Sequence, residues 1–138
     1  MNLGEGLRRE IDAVLIAGEK LLALASRHTH TIIPAYTHGV QAQPTTFAHY
    51  LLALAAALRR QTERMQQAYE RINRNPLGAA ALATSSFALD RDRLAVLLGF
   101  NGLVENTYDA NHLAPADSAC EVAGVPAIAA YQLGTFHR

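Results

Sequence analysis

From Phe47 to Ile72 the apolar residues fall at Phe47, Leu51, Leu54, Leu58, Met65, Ala68 and Ile72, in gaps of four and three that only Gln61 interrupts. That spacing keeps one stripe on one face of an α-helix. A helix from Thr46 to about Asn73 would be ~42 Å long at 1.5 Å per residue. A compact globule of 138 residues has a radius of gyration of only ~14 Å. The segment therefore demands an elongated bundle. Three or so helices from one chain do not easily cover so long a seam, so helices of partner subunits are expected to complete it. Thr45 or Thr46 caps the helix, with Pro44 fixing the approach of the chain.

The rest of the chain reads as helical too. Alanine and leucine make up about a third of the residues, whereas β-branched and aromatic residues are sparse. From Glu5 to about Arg27, apolar residues at Leu7, Ile11, Val14, Leu15, Gly18, Leu21, Leu22 and Ala25 form one helical stripe. His28 to Pro44, broken by two prolines and a glycine, reads as a loop of about fifteen residues, long enough to suspect function. Asn75-Pro76-Leu77-Gly78 and the small-residue run Ala79 to Ser86 form a second connection. Asp90 to Leu98 reads as a short helix ending at Gly99, and Asn101 to Pro115 as irregular. Pro115 or Asp117 opens a last helix to about Phe136, with Pro126 inside it. The expected fold is all-α, an elongated bundle of long helices with one short helix and irregular connections. Residues 1–138 form a single, partial bundle domain without repeat, low-complexity tract or linker.

Twelve basic residues balance twelve acidic ones, which argues against charge-driven binding of nucleic acid or a membrane surface. The one cysteine, Cys120, excludes an internal disulfide and a multi-thiolate zinc site. No signal peptide opens the chain and no stretch of about twenty residues is free of polar groups. A soluble, cytoplasmic protein is expected.

Histidines 28, 30 and 38 share one loop neighbourhood, but no acidic residue lies there and no His-x-x-x-His pair exists, so no metal is expected. His49 reads as a surface or interface group of the bundle. No nucleophile elbow surrounds Ser85 or Ser86, and Gly99-Phe100-Asn101-Gly102 lacks the lysine and strand of a phosphate loop. What remains is Tyr36, Thr37, His38, Gln41 and Gln43. Such hydroxyls, amides and an imidazole at the mouth of a bundle suit an oxygen-rich anion, with an ordinary ordered loop as the plain alternative.

Ile33-Pro34-Ala35-Tyr36-Thr37-His38, followed by Ala42-Gln43-Pro44-Thr45-Thr46-Phe47 and His49, resembles the Thr-His segment of argininosuccinate lyases in the aspartase/fumarase superfamily. The likeness continues through Arg71-Ile72-Asn73, Asn75 to Ala83, Ser86-Phe87, Asp90-Arg91, Leu97 to Phe100 and Asn106 to Ala110. It implies part of the family's central helical domain, a tetrameric assembly, no cofactor, and elimination of fumarate from a dicarboxylate-bearing succinyl adduct. By position, His38 would be the catalytic group for proton transfer or charge stabilisation. Thr37 would bind a substrate carboxylate, and Gln43 and Tyr36 would shape the site. Gly39-Val40 stands where the family usually reads Leu-Gln, and Asn111 to Asp117 where a Ser-Asp-Arg-Asp run is common. The family's Ser-Arg-Asn-Asp and Gly-Ser-Ser-x-Met-Pro-x-Lys segments have no counterpart here. The resemblance therefore implies a lyase piece that is inactive alone and needs complementing segments. Two alternatives are a noncatalytic helical oligomerisation module and another fumarate-releasing lyase of the superfamily.

Overall fold

The computed structural model describes residues 3–135. Its elements run α1 (Leu3–Ser26), β1 (Ile32–Thr37), β2 (Val40–Thr46), α2 (Phe47–Ile72), α3 (Arg91–Leu98), α4 (Thr107–His112) and α5 (Ala114–Thr135). Helices dominate, as the alanine- and leucine-rich sequence dictates, with one small two-stranded sheet.

The stripe on α2 became the core. Leu51, Leu58, Met65 and Ala68 are buried and Gln61 is fully so. One end of the core joins Leu7 and Ile11 of α1 to Met65 and Ala68 of α2 and Ala129 of α5. The other joins Ala25 to Ala48 and Leu51, with Leu21, Phe47 and Leu54 against them. Early α1 thus meets late α2, so the two helices are antiparallel. α5 also runs antiparallel to α2, because Arg71 bonds Glu121 and, lower down, Gln61 Nε2 donates to Gln132 Oε1 at 2.7 Å.

Much of the α2 seam is covered within the chain, by α1 along its length and by α5 over its second half, with Phe47, Leu54 and Ile72 half-buried. Apolar surface is left open on, among other places, the neighbouring face, where Leu15, Leu22 and Leu52 are about half exposed. Together with Val14, Ala55, Ala56 and others they line a groove of about 470 Å³.

The segment expected to be a loop is a β-hairpin. Ile32 to Thr37 pairs antiparallel with Val40 to Thr46, and the two turn residues His38 (φ 48°) and Gly39 (φ 77°) are both left-handed. Positive φ at both central positions matches the right-handed twist of a two-residue hairpin, and Gly39 adopts it without steric cost. Pro34 and Pro44 face each other across the ladder. With no N–H to give, they tolerate only a pair whose amides would point outward. The prolines that read as breakers are therefore compatible with the ribbon.

Asn101 to Pro115 also contains structure that the sequence did not announce. Asn106 caps the six-residue α4, its Oδ1 accepting from the amides of Tyr108 and Asp109 at 2.9 and 3.1 Å. At this end Asn75 is completely buried. It accepts from Leu77 N and donates to Arg91 O. The Arg91 guanidinium donates to three carbonyls, Leu77 O, Val104 O and Glu105 O, at 3.1, 2.8 and 3.1 Å. Its stem fills the place of the missing Gly78 side chain, since a Cβ there would lie 2.9 Å from Arg91 Cγ. Three segments distant in sequence are thereby tied at one junction.

Candidate functional site

The polar residues singled out from the sequence all lie on the hairpin, at the end of the bundle where α1 finishes and α2 begins. Thr37 is the last residue of β1 and His38 the first of the turn. Both are exposed, and neither side chain makes a hydrogen bond among the described residues.

Cross-strand pairing decides which of them share a face. A β-bulge between Ala35 and Tyr36 lets Ala35 pair with Gln43 but Tyr36 with Gln41, leaving Ala42 as the extra residue. Paired residues share a face and successive residues alternate. Gln43 and Thr37 therefore stand on the face of Ala35, and Tyr36 with Gln41 on the opposite one. Gln41 Nε2 donates to the Tyr36 hydroxyl at 3.2 Å. Thr37 and Gln43 can address one ligand together, whereas Tyr36 flanks it from the other face.

The root of the hairpin carries two histidines. Thr45 Oγ1 and His49 Nδ1 lie 2.9 Å apart, one hydrogen bond whichever partner donates. His49 N donates to Thr46 Oγ1 at 3.1 Å, the N-cap of α2. On the other strand, His28 Nδ1 and Thr31 Oγ1 are 3.1 Å apart, and the His28 ring meets Phe47 edge-on at 5.2 Å. Phe47 N closes the root on Thr31 O at 2.8 Å. His49 is exposed, in keeping with a surface or interface group of the bundle, and the Thr45-Thr46-x-x-His49 spacing places its ring one helical turn beyond two threonines.

Larger concavities lie elsewhere. Clefts of about 890 and 760 Å³ open at the far end of α2, lined by residues such as Arg71, Arg74 and Ser118. They do not include Thr37 or His38. There Glu121, chiefly through its hydrogen bond and also by charge, raises the pKa of Arg71 above the ordinary guanidinium value. A shallow hollow of about 400 Å³ follows the hairpin itself, from Ile32 and Pro34 to Gln41 and Gln43. Among the described residues, no three His, Cys, Asp or Glu side chains converge as metal ligands would, and no helix is long and apolar enough to cross a membrane.

Residues 15–138 match the protein family described as lyase. The chain belongs to this lyase family. Within it, the argininosuccinate lyase of Natronomonas pharaonis is 54% identical over 108 residues, 78% of this chain and 22% of the relative. That of Ralstonia nicotianae is 43% identical over 135 residues, 94% of this chain and 28% of the relative. The crystal structure of EDDS lyase in complex with formate superposes on 91% of this chain and 25% of its own, with a TM-score of 0.86 and 39% identity. This member of the lyase family thus spans about a fifth to just over a quarter of the length of the relatives it matches. The likeness to argininosuccinate lyases and the mainly helical fold, both read from the sequence, are upheld.

Proposed function

We propose that this chain is the central-bundle portion of an argininosuccinate-lyase-like enzyme, which eliminates fumarate from argininosuccinate and leaves arginine. The observation that carries this reading is the 43–54% identity to argininosuccinate lyases over most of the chain. In the reaction a base removes a proton from the carbon beside a carboxylate, the freed electron pair forms the double bond of fumarate, and the C–N bond breaks as an acid protonates the departing nitrogen. Thr37 donates a hydrogen bond from its hydroxyl to that carboxylate. His38 moves a proton or steadies negative charge, and Gln43 helps hold the substrate from the same face. Tyr36 borders the site through its link to Gln41. A positioned acid or base of this kind contributes about 10²–10⁴ in rate. Thr37 and His38 are exposed, with no other side chain of the described residues bonded to them, so further segments are expected to complete the site and the isolated chain is expected to be inactive. An assembly of several copies, a tetramer by analogy, follows from the same reading.

The experiment supplies the missing segments on a second chain and follows fumarate by ultraviolet absorbance. His38→Asn is expected to lower the fumarate-forming rate at least tenfold with the assembly intact, and an unchanged rate removes His38 from the mechanism. A second substrate is tested in the same assay. One solved relative is an EDDS lyase variant with bound fumarate, and turnover of EDDS in preference to argininosuccinate would reassign the substrate within the lyase class. Absence of turnover on both would leave the chain as a noncatalytic oligomerisation module.

A further inference from the structure

Among the described residues, the hairpin is joined to the rest of the molecule at its root, its strands are largely exposed, and no third strand or helix braces the turn. A lone two-stranded ribbon is marginal by itself, so its direction depends on what grips the base. Besides the backbone bond from Phe47 N to Thr31 O, a histidine–threonine side-chain pair grips each strand. His28 holds Thr31 ahead of β1, and His49 holds Thr45 near the end of β2.

We propose that His49 is a positioning residue, whose hydrogen bond to Thr45 sets the angle at which the ribbon carries Thr37 and His38. The His49 ring starts from the first turn of α2, and the backbone of the same residue donates to the Thr46 cap. Both threonines at the strand end are thus tied to one rigid helical residue. The geometry makes the angle matter. From Thr45 to Val40 the strand extends roughly 17 Å at 3.4 Å per residue, so a tilt of about 3° at the root moves the turn by about 1 Å. A displacement of that size costs on the order of 10²-fold in rate where reacting groups must align. His49 touches no reacting atom in this account. It acts through β2.

The catalytic consequence rests on the lyase reading above, and the test separates the two. The 138-residue chain carrying His49→Leu, His49→Asn, Thr45→Val or Thr45→Ser is compared with the parent by ¹⁵N relaxation. An asparagine amide reaches the place of Nδ1, and serine keeps the hydroxyl. His49→Leu and Thr45→Val are expected to lower the order parameters of Thr37 to Val40 while leaving those of α1 and α2 unchanged. His49→Asn and Thr45→Ser are expected to restore them. Unchanged values at the turn in His49→Leu, or failure of both conservative variants to restore them, overturns the proposal. In the complemented lyase, His49→Leu should lower kcat at least tenfold with KM changed less than threefold, and His49→Asn should recover most of the rate. An equal loss in both leucine and asparagine variants would contradict a positioning role. Absence of lyase activity in the parent would refute the functional reading and leave the relaxation result to decide on His49.

Discussion

Single residues in this fold are held in conformations that their chemistry disfavours. Thr84 sits at φ 73° and Ala80 at φ 56° in the connection between α2 and α3. A left-handed conformation costs an L-residue roughly 1–2 kcal/mol, and a β-branched side chain tolerates it least. Thr107 Oγ1 and Asn111 Nδ2, both from α4, donate to Leu82 O and Ala80 O at 2.9 and 2.7 Å, and so hold this run in place. Thr84→Gly should therefore raise stability by about 1 kcal/mol after the added chain entropy of glycine. Urea denaturation checks it, with Ala83→Gly as a control expected to destabilise. Arg91 makes the opposite case, since its guanidinium serves three carbonyls at once. Lysine cannot reproduce that fork. Arg91→Lys should cost about 2 kcal/mol in the same assay, on the scale of lost charge-assisted hydrogen bonds, and a change below about 0.5 kcal/mol would show that α3 is held by other contacts.

At the scale of elements, one polar layer crosses the apolar seam. Gln61 is fully buried, it donates to Gln132, and its own Oε1 has no partner among the described residues. Truncating the more exposed partner should do more harm than truncating the buried one. Gln132→Leu strands both polar atoms of the Gln61 amide in the core and should cost ~1–3 kcal/mol, whereas Gln61→Leu removes them and should cost less or stabilise. The double variant should resemble Gln61→Leu. Thermal unfolding of the three proteins decides, and the reverse order would sink the assignment. The helices were legible because their apolar period extends over many turns: Leu7 and Ile11, like Leu51 and Leu58, went where the spacing put them. Thr46 as N-cap, and Asp90 and Gly99 as the ends of α3, followed from side-chain chemistry. The hairpin was hidden because Pro34, Gly39 and Pro44 break a helical period, and the same residues suit a two-residue turn and a non-bonded pair. α4 was hidden by its six residues, too few to show a period. Of the candidate site, the sequence offers a polar segment but not its arrangement. The bulge that separates Tyr36 from Gln43 is a matter of backbone register, to which residue types are blind.

At the scale of the whole molecule, the apolar surface left open is where an assembly of copies is testable. The half-exposed leucines 15, 22 and 52 line a groove beside the core, not part of it. If this face joins copies, Leu22→Asp with Leu52→Asp should lower the mass seen by light scattering while the far-ultraviolet spectrum stays helical. Leu54→Asp belongs to a different class, because Leu54 packs on Ala25, Ala48 and Leu51 of its own chain. It should lower the melting temperature whether or not the assembly survives. An unaltered mass in the double variant would move the interface elsewhere. The hairpin bears on the same question through its paired prolines. A ribbon of two strands has two open edges, each a template onto which a foreign strand could grow. Pro34 and Pro44 sit opposite each other, and each removes an outward-pointing donor from its edge at the same level. The exposed ribbon is thereby spoiled for polymerisation along both sides, so the chain can present it without offering it as the seed of a fibre.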